Sequence, residues 1–133
     1  MSKYIAECTI KEMISHDKKI KYASVLVMGL TFKEDCPDIR NSKVIDIIEE
    51  LKDFGGNVDV YDPWVDYQEE KSWYKHGLIQ NPLISNKKYD AIVVAVGHEE
   101  FKKYTYDDYG RLSNGERVIM DVKNIVENPT WTL

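Results

Sequence analysis

An α/β fold is expected for this chain: a three-layer, Rossmann-like, doubly wound and mainly parallel sheet with an extra N-terminal helix. Three observations predict it. Ser24-Val-Leu-Val-Met-Gly29 and Asp90-Ala-Ile-Val-Val-Ala-Val96 are short, continuously apolar runs, the signature of strands buried on both faces. Between and after them lie segments whose apolar residues recur at helical spacing. Such alternation needs crossover connections, and right-handed crossovers wrap helices over both faces of a parallel sheet. Length agrees, since 133 residues make one domain large enough to bury a core without staples.

The elements follow in order. Residues 2–14 predict a helix with Ser2 as its N-cap. Tyr4, Ile5, Cys8 and Met13, with Ala6 and Ile10, spread over more than one narrow face. A helix so broadly apolar wants partners on several sides, another subunit or a further domain among them. Residues 16–21 read as a polar link. The first strand ends at Gly29, and residues 30–41 form a polar loop containing Pro37. Residues 42–54 are the clearest helix. Val44, Ile47, Ile48, Leu51 and Phe54 share one face, Asn41 or Ser42 caps it and Gly55 stops it. Asn57-Val-Asp-Val-Tyr61 alternates as a strand does and is closed by Asp62-Pro63. Residues 64–77 are expected to be mostly helical, with a short extended piece at 78–80. After the second apolar strand, residues 99–110 form a weak helix rich in Tyr and Lys, residues 117–121 the last strand, and residues 128–133 a tail.

Charge and composition narrow the function. With 18 Lys and Arg against 23 Asp and Glu, the net charge is −5, which disfavours general binding to nucleic acid or to an anionic membrane. No apolar run approaches the ~20 residues of a membrane span. Two cysteines, Cys8 and Cys36, support neither a disulfide framework nor a four-cysteine zinc site. With no signal sequence they point to a reducing cytoplasm.

In a doubly wound sheet, ligands sit at the carboxyl ends of the strands. That draws attention to the loop Gly29-Leu-Thr-Phe-Lys-Glu-Asp-Cys-Pro-Asp-Ile-Arg-Asn-Ser42, which carries Lys33 and Arg40 between a strand end and a helix start. A helix N-terminus favours anions through its free N–H groups and dipole. Lys33 adds a flexible point charge, and Arg40 adds a planar fork suited to phosphate. In the alternative reading Arg40 pairs with Asp35 or Asp38 and only fixes the loop. Gly29 stands alone, so the G-x-G-x-x-G dinucleotide fingerprint is absent from this turn.

The run Val25-Leu-Val-Met-Gly-Leu-Thr-Phe-Lys-Glu-Asp-Cys-Pro-Asp-Ile-Arg-Asn-Ser42, followed by Val58-Asp-Val-Tyr-Asp-Pro63, resembles the C-terminal domain of the UDP-glucose/GDP-mannose dehydrogenase family. Its wording is nearest to the branch that oxidises UDP-N-acetyl-hexosamines (UDP-GlcNAc or UDP-GalNAc 6-dehydrogenases) for surface polysaccharides. Ala95-Val-Gly-His-Glu-Glu-Phe101 and Met120-Asp-Val-Lys-Asn124 fit that branch as well, so the resemblance covers about residues 2–125. It implies an enzyme that converts the sugar C6 alcohol to a carboxylate in two NAD-dependent steps. It also implies that the glycine fingerprint for NAD and the nucleophilic cysteine lie in segments preceding this domain. Residues 1–18 would then be the end of a central connecting helix, and residues 19–133 the nucleotide-sugar-binding domain. By the same resemblance Phe32 and Lys33 contact the UDP-sugar and Arg40 reaches NAD across the domain cleft. Lys123 stands where many relatives place Arg in an Asp-Gly-Arg stretch; Val122 and Lys123 replace that Gly and Arg. The chain alone is expected to lack dehydrogenase activity, and the full enzyme to be a homodimer or larger.

Other residues are read conservatively. Cys36 is taken as a loop cysteine without a chemical role and Cys8 as apolar filler. Asp62-Pro63 is read as a turn rather than a ribose-binding acid. His98 is assigned a structural or helix-capping role in preference to lining a cleft, while His16 and His76 look exposed. Trp64, Trp73 and Trp131 are read as core or rim, and Tyr104-Thr-Tyr-Asp-Asp-Tyr109 as a solvated helix. Two other classes of function stay open from the residues alone: a stand-alone nucleotide-sugar-binding module, and an assembly domain whose loop charges pair internally.

Overall fold

The computed structural model describes residues 1–31, 33–35, 37, 42–66 and 77–133. Its strands are β1 (Ser24–Met28), β2 (Asn57–Tyr61), β3 (Ala91–Val94), β4 (Ile119–Asp121) and β5 (Trp131–Thr132). They form a five-stranded sheet in the order β2-β1-β3-β4-β5, parallel at every pairing. The helices are α1 (Ser2–Ser15), α2 (Val44–Asp53), α3 (Glu99–Lys102) and α4 (Tyr106–Arg111), with a 3₁₀ turn at Pro82–Ile84.

Strand alternation sorts the core into two layers. Val25, Val27, Ala91, Val93 and Met120 face one side, where Ile5, Ala6 and Met13 of α1 and Val44, Ile47, Ile48 and Leu51 of α2 cover them. Leu26, Met28, Ile92, Val94 and Ile119 face the other side, under Phe101, Tyr109 and Leu112. This is the expected three-layer arrangement, and it accounts for the unbroken apolar runs of β1 and β3, which are buried from both faces. α2 ends as expected, with Gly55 at φ +97° in the left-handed region that glycine enters at low cost.

Several local expectations are corrected. Ser2 does not cap α1; its hydroxyl donates instead to the Lys43 carbonyl at 3.2 Å, tying the start of α1 to the start of α2. Residues 99–110 form two short helices rather than one. α4 begins on a reciprocal capping box between Thr105 and Asp108, which satisfies two orphan donors and restarts the helix after the break. The tail supplies β5 at the sheet edge. Tyr109, expected on a solvated helix, is fully buried. The proposed helix at 64–77 falls mainly on residues 67–76, Trp73 and His76 included, outside the described residues; Trp64 and Val65 lie in a turn.

The hydroxyl of Tyr109 is buried with no hydrogen-bond partner among the described residues. A buried hydroxyl without a partner costs about 1–3 kcal/mol. Tyr109→Phe is therefore expected to raise the thermal midpoint by a few degrees, and a lower midpoint would show that the hydroxyl is bonded after all.

Candidate functional site

The strand order reverses direction between β1 and β3, which both neighbour each other at the centre of the sheet. Such a switch point opens a crevice at the carboxyl ends of the strands. Here the crevice is a cavity of about 810 Å³ lined by Thr31 and Lys33 after β1, Ala95 and Val96 after β3, and Val122 and Lys123 after β4. α1 and α2 close its side with Lys3, Lys43, Asp46 and Glu50 among others. The volume falls within the range of small-molecule sites.

Lys33 and Lys123, singled out from the sequence on separate loops, thus share one crevice. Both are exposed, and neither forms an ion pair among the described residues. Four lysines against two carboxylates give this crevice a positive field, opposite in sign to the chain's net −5, so it is suited to an anion. Lys3 and Lys43 were not anticipated. The available signal for Lys43 was its place immediately before the first turn of α2 at the strand–helix transition; nothing local marks Lys3. Phe32, Arg40, Cys36 and Asp38 lie outside the described residues.

Buried carboxylates shape both loops. Asp121 ends β4 fully buried and accepts the N–H groups of Ile125 at 3.1 Å and Val126 at 2.7 Å. It thereby folds the turn that carries Lys123. Asp62, just past β2, is 4% exposed. Its Oδ2 accepts the N–H groups of Leu30 at 2.7 Å and Thr31 at 3.0 Å, and its Oδ1 accepts that of Trp64 at 2.8 Å. The Asp62-Pro63 pair is thus a turn, as read, but its carboxylate also anchors the neighbouring loop after β1. Burial pushes the Asp62 carboxyl up. The bond from His98 and those from the Leu30 and Trp64 N–H groups outweigh it and hold the group below the usual carboxylate range.

His98, fully buried, joins the same cluster. Its Nε2 lies 2.9 Å from Asp62 Oδ2 and 3.1 Å from Thr31 Oγ1. Its Nδ1 accepts the Asp35 N–H at 2.8 Å. Trp64 stacks on the imidazole at 6.1 Å between centroids, and Phe101 meets it edge-on at 5.4 Å. The structural role expected for His98 therefore holds, and the role is more connected than helix capping, since no side-chain cap bond is made to α3.

A doubly wound parallel α/β domain with a cationic crevice at its switch point defines a class of domain that binds phosphorylated, nucleotide-like ligands. Comparison with known proteins narrows the class. The family model described as UDP-glucose/GDP-mannose dehydrogenase family, UDP binding domain, matches residues 26–128, and the chain belongs to that family. It is 40% identical over 126 residues to the UDP-N-acetyl-D-glucosamine 6-dehydrogenase of Salmonella typhi, covering 95% of this chain and 29% of that protein. To the enzyme of the same name from Pseudomonas aeruginosa it is 39% identical over 127 residues, covering 96% of this chain and 30% of that protein. Among solved structures, the UDP-D-ManNAc dehydrogenase of Pyrococcus horikoshii superposes with a TM-score of 0.81 at 25% identity, over 99% of this chain and 30% of that one. The chain thus spans about 30% of the length of these relatives and corresponds to their C-terminal part. No helix among the described residues is long and apolar enough to cross a membrane.

Proposed function

We propose that this chain is the nucleotide-sugar-binding part of an NAD-dependent 6-dehydrogenase. That enzyme oxidises the C6 alcohol of a UDP-hexose or UDP-N-acetyl-hexosamine to the uronic acid. The observation that carries the reading is the convergence of Lys33 and Lys123, from loops two strands apart, on one open cationic crevice. There they neutralise the diphosphate of the UDP-sugar, with Lys43 and Lys3 adding charge from the helical side. Phe32, beside Lys33 in sequence, contacts the UDP-sugar. Arg40 reaches the NAD held by the preceding part of the enzyme, and NAD supplies the acceptor for hydride.

The exposed apolar groups of α1, Tyr4 and Ile14, support reading residues 1–18 as the end of a connecting helix that continues into the rest of the polypeptide. They equally suit contact with a second subunit, so a homodimer or larger assembly completes the proposal. A cytoplasmic setting follows from the substrate class.

Titration calorimetry of the chain with UDP tests the reading. A charge-assisted contact to phosphate is worth about 1.5–3 kcal/mol, so Lys33→Ala is expected to weaken UDP binding by about tenfold to a hundredfold. Lys123→Ala should have a smaller effect, because a lysine lacks the bidentate grip of an arginine. Unchanged affinity in Lys33→Ala would remove the crevice as the UDP site.

A further inference from the structure

We infer that His98 is a positioning residue, held as the neutral Nε2–H imidazole, which sets the loop that presents Lys33 to the crevice. The inference rests on the reading of Lys33 as a diphosphate contact. The tautomer follows from the hydrogen-bond network. The Asp35 N–H points at Nδ1 from 2.8 Å, so Nδ1 is the acceptor and the ring proton sits on Nε2. That proton faces Asp62 Oδ2 at 2.9 Å, a carboxylate already fixed by the Leu30 and Thr31 N–H groups.

Three bonds then carry the ring's position to Lys33. The Thr31 hydroxyl, 3.1 Å from Nε2, donates to the Lys33 carbonyl at 3.0 Å. Asp35, two residues beyond Lys33, gives its N–H to the ring. The Asp35 carboxylate accepts the Glu99 N–H at 3.1 Å, which closes a loop-to-helix tie one residue from His98. Lys33 is thus bracketed on both sides by groups that answer to one buried imidazole. Trp64 and Phe101 pack the ring from its face and edge. Asp35 itself sits at φ +54°, a conformation that Asp tolerates but does not seek. The bond to the ring restrains its backbone there, and the Glu99 N–H restrains its side chain.

Two variants separate this role from a merely structural one. An asparagine at 98 retains an acceptor near the position of Nδ1, and a glutamine retains a donor near that of Nε2. In the full chain, His98→Gln is expected to speed Asp35 amide hydrogen exchange about tenfold, the loss of one hydrogen bond. It should also weaken UDP binding several-fold. His98→Asn should restore much of the Asp35 protection, with amides of β1 and β3 protected in both. In the wild-type chain, nitrogen NMR at neutral pH should show Nδ1 unprotonated and Nε2 protonated. A proton on Nδ1, Asp35 exchange unchanged in His98→Gln, or a freed Asp35 with UDP affinity intact would each overturn the inference. The wild-type tautomer decides it even if both variants unfold. Failure of the crevice reading looks different: Lys33→Ala would leave UDP affinity unchanged while the Asp35 and tautomer results stood.

Discussion

Asp62→Ala is expected to cost about 3 kcal/mol or more of folding stability, because each buried donor that loses its acceptor costs about 1–3 kcal/mol. The carboxylate accepts from Leu30, Thr31 and Trp64 N–H groups and faces the His98 ring. Alanine leaves all four donors without that acceptor, three of them buried. Few domains have more than 5–15 kcal/mol in total, so the variant should show a large drop in urea midpoint. The effect has a pH signature. Asp62 is held below its ordinary carboxyl value in the folded chain. Its contribution is therefore fully present above the unfolded carboxyl pKa of about 3.9 and is lost as pH falls through the lower folded value. The wild-type chain should lose stability over that acid window more steeply than Asp62→Ala. Parallel acid limbs would show that the carboxylate is not stabilised by the fold.

Gly29→Ala is expected to be comparably damaging, at about 3 kcal/mol or more, through two terms that add. Gly29 sits at φ +104°, where an L side chain stores about 1–3 kcal/mol of backbone strain. A Cβ there would also lie 2.6 Å from Val96 Cβ and 2.9 Å from the Val96 N. Forcing extra volume into a packed position costs about 1–3 kcal/mol more. The backbone has little room to yield, because the Gly29 N–H donates to the Tyr61 carbonyl at 2.8 Å. Val96 lines the crevice, so the strain falls where β1 and β3 end. Chemical denaturation of the variant checks the first term, and displaced Lys33 and Val96 backbone resonances check the second. A variant as stable as the wild type would mean that this turn is free to change its conformation.

Asp62 has one local partner and three distant ones. Locally, Asp-Pro after an alternating strand is a turn signal, and the Asp62 carboxylate does accept the N–H two residues on, at Trp64. Its other partners come from Leu30, Thr31 and His98, more than thirty residues away in sequence. No local pattern reports such partners. β5 and Tyr109 were missed for related reasons. A two-residue strand has no periodicity to detect, and a tyrosine in a polar run is buried or exposed according to what packs above it. The loop motif around Lys33 and the Tyr-Asp-Pro stretch were legible because family resemblance adds information that spacing lacks.

By itself the sequence determined the apolar strands β1 and β3, the amphipathic α2, the alternation that demands a parallel sheet, and the identity of Lys33 and Lys123 as cations beyond strand ends. Side-chain periodicity along a few residues is enough for those, because it reflects which way each residue faces within its own element. Only the tertiary structure decided that β1 and β3 are neighbours at the switch point, that Lys3 and Lys43 join the two anticipated lysines, and that Asp62 and His98 lock the Lys33 loop from below. These depend on strand order and register, which bring distant segments within hydrogen-bonding reach, and no stretch of chain carries that information alone.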